Sequence, residues 1–457
     1  MYVESVHIQN LKLLRDVKLD FTRNGSPRPW TVIIGENGCG KTSLLQAIGL
    51  AAMGVDRANQ LADVTSLPDR RSKSEVNIEA TFRFGEIRSK LRSIPQWNWD
   101  STCAYPQLKS WLKLKSGWSV FEGGSQYVAE AVNHAGICVG DLRTDHNFFD
   151  PLREARRENL PHWFVAGYGV GRSLPLPQTG ARVKDAVLER IASLYGRGSI
   201  VGTGFADMFD KTNLVRDFCR QLQAALVTGC LLPNVTQLDL RGKGGIKKAQ
   251  QLVESHRFVM QAGSSEVKIP AVWLSQGYQA TAAWVADLIG QQFWDAGGSV
   301  ELAEMEGLAL IDELDLFLHP VWQAQLIPAL KQVFPRMQFI VTTHSPMLLP
   351  GCEQDEVFTL KQDENGDVNV HPAEASPAIM SGSEIYRVFF GVDGQFAKKA
   401  GGLLQQYAFL ASNPLRTDGD DTQIASLVKQ LAKLKVTPDW KPIPRKAARP
   451  AKRKVTK

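Results

Sequence analysis

The stretch TVIIGENGCGKTSLLQAIGLAA, residues 31–52, decides the fold of this chain. Its first residues are apolar and predict a buried strand, and its last residues predict a helix. The turn between them places Gly35, Gly40, Lys41 and Thr42 in the spacing G-x4-G-K-T. Glycines in such a turn let backbone N–H groups surround phosphates, while the lysine reaches the β and γ oxygens and the threonine hydroxyl faces Mg²⁺. The stretch therefore predicts a nucleotide site.

Composition narrows the class of protein. The chain has 457 residues, of which 44% are hydrophobic and 22% charged, so it is long enough for two or three cores. We expect no leader peptide, because the first residues lack its basic and apolar regions, and the longest nearly apolar run, residues 44–55, is too short to span a bilayer. We therefore expect a cytoplasmic protein without membrane contact. The six cysteines are scattered without C-x-x-C pairs, which predicts reduced thiols rather than disulfides or zinc ligands.

The positive net charge is concentrated at one end. Residues 441–457 contain 8 Lys and Arg and no acidic residue, so the remaining chain is close to neutral. This segment is rich in Pro, Ala and charge, has little to bury, and is predicted to be disordered. Two interpretations remain open: a salt-sensitive arm for nucleic acid or an acidic partner, or a solvated chain end.

Two further apolar strands end in chemically active side chains. GLALIDELDLFLHP, residues 307–320, ends its strand in Asp312 and Glu313, at the carboxyl edge of a sheet where ligands bind in α/β folds. We expect Asp312 to hold Mg²⁺ and Glu313 to orient and polarise the attacking water. MQFIVTTHSP, residues 337–346, precedes His344, which can donate a hydrogen bond to a terminal phosphate.

The segment AVWLSQGYQATAAW, residues 271–284, predicts a buried helix with Ser275 as its cap. Ser-Gln-Gly at the start of that helix leaves backbone N–H groups bare, next to the positive end of the helix dipole. The segment therefore predicts an anion site.

Together these four motifs resemble, in order and kind, those of ABC-superfamily ATPases, in the branch of soluble ATPases with RecF-like and SMC-like heads. GENGCGKT, LSQGYQ, LALIDELD and VTTHSP are similar to that family's phosphate loop, signature, magnesium-and-base acids and switch histidine. The start, VHIQNLKLLRDVKLDF, is similar too, and the resemblance covers residues 1–85 and 160–375. It implies an α/β, ABC-type P-loop head with a mixed-sheet lobe, a parallel-sheet core, a helical insertion and a helical C-terminal region.

The resemblance also implies the site and its cofactors, ATP and Mg²⁺. Two protomers sandwich two ATP molecules as a homodimer or a higher assembly, so that the signature of one closes over the phosphate loop of the other. The implied catalytic residues are Lys41, Glu313 and His344, and the implied metal ligands are Thr42 and Asp312. The implied nucleotide-binding residues are Gly35, Asn37, Gly38, Gly40, Lys41, Thr42 and Ser43, with Ser275 and Gly277 supplied by the second protomer.

Several positions depart from the family pattern. Gln276 and Tyr278 replace residues of the commoner Leu-Ser-Gly-Gly-Gln, which permits a slow, switch-like ATPase. Asp315 and His319 are candidates for contacting the opposite site. In WFVAGYGVGR, residues 163–172, no glutamine stands where the family's glutamine loop is expected, and Arg172 either meets phosphate or forms a structural salt bridge.

Pattern changes along the chain predict its organisation. Residues 111–124 predict a hairpin turning at Ser116-Gly117, residues 257–272 a second hairpin, and residues 424–434 an apolar helix face that docks on its own domain or on a partner. The predicted division is the N-terminal part of the head with the phosphate loop, 1–90; an elaborated lobe, 91–160; a helical subdomain and hairpin, 161–265; the C-terminal part of the head, 266–375; a helical partner or oligomer region, 376–440; and the basic tail, 441–457.

A compact head without a coiled-coil arm or a nuclease module resembles the ATPase subunits of antiphage defence systems such as Septu and PARIS. That resemblance implies an ATPase that scaffolds or regulates a separately encoded effector, a nuclease. Two alternatives stay open: a RecF-like DNA-repair ATPase that clamps DNA, with the basic tail contributing, and a nucleotide-bound module without turnover.

Overall fold

The computed structural model describes residues 1–53, 57, 60–62, 67–69, 71, 76–83, 107–121, 124–135, 164–172, 186–196, 212–239, 257–392, 398–434, 436–438 and 441–444. The chain divides into two compact units, Met1–Met380 and Ser381–Lys457. The strands are β1 Tyr2–Leu11, β2 Leu14–Asp20, β3 Thr22–Arg23, β4 Ser26–Pro27, β5 Trp30–Gly35, β6 Val76–Arg83, β7 Gln107–Phe121, β8 Gly124–Ala135, β9 Val165–Tyr168, β10 Val235–Asp239, β11 Arg257–Ala262, β12 Ser265–Pro270, β13 Gly307–Ile311, β14 Met337–Thr342, β15 Val357–Gln362 and β16 Val368–Pro372. The helices are α1 Lys41–Met53, α2 Ala186–Ala192, α3 Thr212–Gln223, α4 Gln276–Ala296, α5 Pro320–Val333, α6 Gly382–Phe390, α7 Lys398–Ala411 and α8 Asp418–Lys433.

A six-stranded sheet forms the core of the first unit, in the order β16-β15-β5-β14-β13-β9. Five of its strands are parallel, and only the edge strand β16 pairs antiparallel. β13 and β14 are buried along their whole length, as expected of strands covered on both faces. Because β5, β13 and β14 are neighbours and parallel, the loops after their carboxyl ends meet at one edge.

A five-stranded antiparallel sheet, in the order β2-β1-β6-β7-β8, forms the second layer. The hairpin predicted to turn at Ser116-Gly117 is wrong, because both residues lie inside β7 and pair with Tyr127 and Gln126 of β8. β7 also pairs with β6 as far as Leu114, and its pairing with β8 extends to Phe121 and Gly124.

Helix α1 lies between the two sheets and is buried on nearly all sides, from Leu44 to Met53 except Gln46. Gln338, fully buried in β14, links the layers: its amide accepts from Val3 N at 2.8 Å and donates to the carbonyls of Val3 and Arg28. The predicted α/β fold with a parallel-sheet core is thereby confirmed. The mixed pairing lies in the core sheet, and the lobe sheet is antiparallel throughout.

The helical insertion contains α2, α3 and a three-stranded antiparallel sheet, β10-β11-β12. The hairpin predicted within residues 257–272 is confirmed as β11 and β12, and it leads into α4 through one 3₁₀ turn. Within the described parts of the chain, no helix is long and apolar enough to cross a membrane.

The second unit contains α6, α7 and α8. Ile424, Leu427 and Leu431 of α8 are buried in a cluster with residues of α7, so this face docks on its own unit. Val428 and Leu434, predicted on the same face, are instead 38% and 40% exposed. The predicted disorder of the tail falls mostly on residues outside the described ranges. Four of the six cysteines are described, and all four are free.

Candidate functional site

The phosphate loop follows β5 directly and depends on close backbone contacts. A Cβ at Gly35 would lie 2.5 Å from the carbonyl oxygen of Leu360, which is a steric clash, so only glycine fits at this position. Gly40 has φ +91°, and a Cβ there would also meet Leu14 at 3.0 Å. The glycine spacing therefore lets the loop turn tightly against β15 and β2 before α1 begins at Lys41.

The Lys41 ammonium lies inside this loop. Its Nζ donates to the carbonyl oxygens of Gly35 and Glu36, both at 2.9 Å. Burial lowers the pKa of Lys41, and the nearby Cys39, Asp312 and Glu313 oppose that shift. The ammonium is thus held at the loop by carbonyl dipoles and by the carboxylates after β13.

A hydroxyl–carboxylate chain joins the phosphate loop to the acidic strand end. Thr42 Oγ1 donates to Asp312 Oδ2 at 2.8 Å, and Thr342 Oγ1 donates to Asp312 Oδ1 at 2.6 Å. Asp312 is only 4% exposed, so two threonine hydroxyls satisfy a buried carboxylate. Mg²⁺ prefers oxygen ligands, and the Thr42 hydroxyl and the Asp312 carboxylate together fit that metal.

Glu313 has an unusual backbone conformation. Its φ is +46°, in the left-handed region that non-glycine residues seldom adopt. Its N–H donates to Thr342 Oγ1 at 2.8 Å, and the next N–H, of Leu314, donates to the Thr342 carbonyl at 2.9 Å. Thr342 therefore fixes the peptide groups on both sides of Glu313.

Arg172 forms no salt bridge with any described residue, so that interpretation is wrong, and contact of its guanidinium with phosphate stays a prediction. Its Nη1 donates to the carbonyl oxygen of Asp312 at 2.8 Å, and its Nη2 donates to the carbonyl oxygen of Glu313. The side chain is 4% exposed. Burial lowers the pKa of Arg172 to about 10, against the opposing effect of Asp312, Asp315 and Glu313, so the guanidinium stays charged at neutral pH.

His344 lies two residues after β14, between two anchored neighbours. Thr343 Oγ1 donates to Asp315 Oδ1 at 2.5 Å, and Ser345 Oγ donates to Gln323 Oε1 at 2.6 Å. His344 itself is half-buried at the same sheet edge as Asp312. Of the two candidates for contacting an opposite site, Asp315 is therefore bound to its own chain, and His319 Nδ1 accepts from Val321 N at the start of α5.

The signature lies on a different element. Ser275 is the exposed N-cap residue of α4, and its side chain makes no capping hydrogen bond. Gly277 is buried against its own chain, because a Cβ there would lie 2.4 Å from the carbonyl oxygen of Phe317. Tyr278 donates to the Pro233 carbonyl at 2.6 Å. These contacts explain Gly277 and Tyr278 by packing and leave Ser275 facing outward.

The structure thus brings together Lys41, Thr42, Asp312 and Glu313 at one sheet edge, with His344 on the adjacent strand end. Asn37 and Gly38 lie exposed at the tip of the phosphate loop, and Ser43 is buried at the start of α1. The functions of Thr342 and Arg172 were not predicted. The first threonine of VTTHSP was a usable signal for Thr342, because a hydroxyl beside paired acids can bind them.

Two family models match this chain. Residues 5–98, which contain the phosphate loop, match a model described as "AAA domain". Residues 184–349, which contain the signature and both acids, match a model described as "AAA domain, putative AbiEii toxin, Type IV TA system". Both parts of the chain that carry the site thus match models of AAA domains.

Curated proteins similar to this chain include the Septu protein PtuA of Bacillus mycoides (strain KBAB4), 24% identical over 94% of this chain and 50% of that protein. Another is the "Retron Ec83 probable ATPase" of Escherichia coli, 37% identical over 26% of this chain and 21% of that protein. The chain thus aligns with half of the first relative's length. Among solved structures, the SMC head domain from Thermotoga maritima matches with a TM-score of 0.42 and 15% identity, over 82% of this chain and 100% of that domain.

Proposed function

We propose that this ATPase binds ATP and Mg²⁺ between two copies of the chain, hydrolyses the ATP, and scaffolds or regulates a separate effector nuclease in antiphage defence. The observation that carries the proposal is the 2.8 Å hydrogen bond from Thr42 to Asp312. It joins a phosphate-loop hydroxyl to a strand-end carboxylate, and these are the two side chains that a P-loop enzyme needs side by side.

The chain's residues divide the chemistry among them. Lys41 places a positive charge where the terminal phosphates bind, and the loop N–H groups bind the phosphate oxygens. Thr42 and Asp312 hold Mg²⁺, which supplies charge neutralisation at the phosphates. Glu313 accepts a hydrogen bond from the attacking water and orients it, and His344 donates to the terminal phosphate.

The signature face supports a shared site. Ser275 is exposed and makes no capping bond in its own chain. Beside it, Trp273 and Phe317 are 77% and 53% exposed, which is unusual for large apolar side chains on a protein that stays alone. A second copy that covers this face places Ser275 and the first N–H groups of α4 on the terminal phosphate.

The relatives' names support a defence function for this ATPase. A Septu protein aligns with 94% of this chain, and a retron ATPase aligns with 26% of it. In this proposal, the bound nucleotide determines whether the two heads are closed, and the separate effector carries out the nuclease reaction. A separate effector nuclease is therefore the partner that we propose.

The test is an affinity purification of tagged Glu313→Gln protein with ATP and Mg²⁺, followed by mass spectrometry and a nucleic-acid assay of the same eluate. We expect a stoichiometric nuclease in that eluate, and its loss when the bait is Lys41→Ala, which does not retain ATP. Recovery of the same nuclease with both baits contradicts regulation by nucleotide but not scaffolding.

DNA without a protein partner favours the RecF-like clamp instead. Two observations support that second candidate: the basic segment 441–457, and a 30% identical match over 94 residues to the DNA replication and repair protein RecF of a Synechococcus strain. Deletion of residues 441–457 then abolishes salt-sensitive DNA binding, whereas the scaffold proposal expects DNA binding to be weak with or without the segment.

A further inference from the structure

Arg172 binds the backbone at the acidic strand end. Its guanidinium donates to the carbonyl oxygens of two consecutive residues, Asp312 and Glu313, which are the metal-binding and water-orienting residues of the proposed function. A planar guanidinium can donate to two acceptors at once in a fixed geometry, whereas a lysine ammonium acts as a single point charge. The two bonds therefore fix the direction of the two peptide groups on either side of Glu313.

The peptide that Arg172 holds is strained. Glu313 has φ +46°, and a non-glycine residue keeps such a conformation only when its surroundings impose it. Thr342 binds the N–H groups of Glu313 and Leu314 from one side. Arg172 binds the carbonyls of Asp312 and Glu313 from the other. Four hydrogen bonds thus hold the backbone of Glu313 and aim its side chain.

The segment that carries Arg172 is itself anchored. The Tyr168 carbonyl accepts from Asp312 N at 2.8 Å, and the Tyr168 hydroxyl donates to Asp287 of α4 at 3.0 Å. Both side chains are buried. Arg172 lies four residues after β9. Through Tyr168, the end of this strand is bound both to Asp312, directly after β13, and to α4.

We propose that Arg172 is a positioning residue that holds Glu313 in its strained conformation and so aims the carboxylate that orients the attacking water. The proposal rests on the proposed ATP hydrolysis and adds to it a residue that acts on the rate through Glu313. We therefore expect substitution of Arg172 to lower kcat and to leave the ATP affinity nearly unchanged.

The experiment compares Arg172→Lys and Arg172→Gln with wild type, measuring kcat under saturating Mg-ATP, the ATP dissociation constant and thermal unfolding. The matched control is Arg190→Lys, because Arg190 is an equally buried guanidinium, 3% exposed, that pairs with Asp295 away from the acids. We expect kcat to fall by about 10- to 100-fold in both Arg172 variants. We expect the ATP dissociation constant to change by less than about threefold.

A double-mutant cycle separates positioning from a direct effect. In the Glu313→Gln background, Arg172→Lys should lower the residual rate no further, because the group it positions is already absent. An unchanged kcat, a parallel loss of ATP affinity, or an equal fall in Arg190→Lys overturns the proposal. If only Arg172→Lys folds, it tests the proposal alone, because it keeps the charge but cannot bind both carbonyls in the same geometry. If neither Arg172 variant folds while Arg190→Lys does, Arg172 is a structural residue and the proposal is overturned. A Glu313→Gln protein as fast as wild type instead overturns the function assigned to Glu313 in the proposed hydrolysis.

Discussion

Glu313→Gln should lower ATP turnover by about 10²- to 10³-fold while ATP binding is retained. The amide has the same shape as the carboxylate and disturbs none of the backbone hydrogen bonds, which involve only the N–H and carbonyl groups of residue 313. It cannot accept the proton of the attacking water, so ATP stays bound and the closed pair of heads accumulates. Phosphate release, nucleotide content and light scattering after size exclusion measure the three effects.

Glu364→Gln provides the control, because Glu364 is an exposed carboxylate in the β15–β16 hairpin. It should match wild type in all three measurements. A Glu313→Gln rate within about threefold of wild type contradicts the catalytic function of this carboxylate, and it would favour a nucleotide-bound module without turnover.

Lys41→Ala should weaken ATP binding by at least about 100-fold, since it removes a charge-assisted contact to the phosphates. The ammonium already lies between the loop carbonyls of Gly35 and Glu36, so it is placed before nucleotide arrives. Titration calorimetry with Mg-ATP measures the loss. Thermal unfolding shows whether the Lys41→Ala protein remains as stably folded as wild type.

Lys361→Ala is the matched control, because Lys361 is an exposed lysine on β15, the strand that packs against the phosphate loop. Its ATP affinity should equal that of wild type. If Lys41→Ala binds ATP as tightly as this control does, the phosphate loop is not the nucleotide site.

The sequence predicted the parts of the fold that depend on local chemistry. The strand, glycine turn and helix of residues 31–52 occur as β5, the phosphate loop and α1, since glycine φ values and apolar runs are encoded locally. The sheet edge that collects Asp312 and Glu313 was also predictable, because parallel strands align their carboxyl ends. The turn at Ser116-Gly117 was wrong because pairing with β8 continues β7 through that glycine.

The site was less predictable where contacts are long-range. Arg172 is 140 residues from Asp312 in sequence, and no spacing rule indicates that its guanidinium binds two carbonyls rather than a phosphate. Gly277 was predicted as a residue facing a second protomer, but its own chain also requires glycine there, at the contact with Phe317. Packing within one chain therefore accounts for the glycine at position 277, which is no evidence for a second protomer.

The most direct test of the central claim, a nucleotide site shared by two copies, is to mix two inactive variants. Ser275→Arg blocks the signature at an exposed residue whose side chain makes no capping bond, so folding is preserved. Lys41→Ala disables the phosphate loop. Each variant alone should be inactive. A mixed dimer contains one intact loop facing one intact signature, so one of its two sites is active. Since about half of the dimers in an equimolar mixture are mixed, the mixture should regain about a quarter of the wild-type rate. A mixture no more active than its components would contradict the shared site.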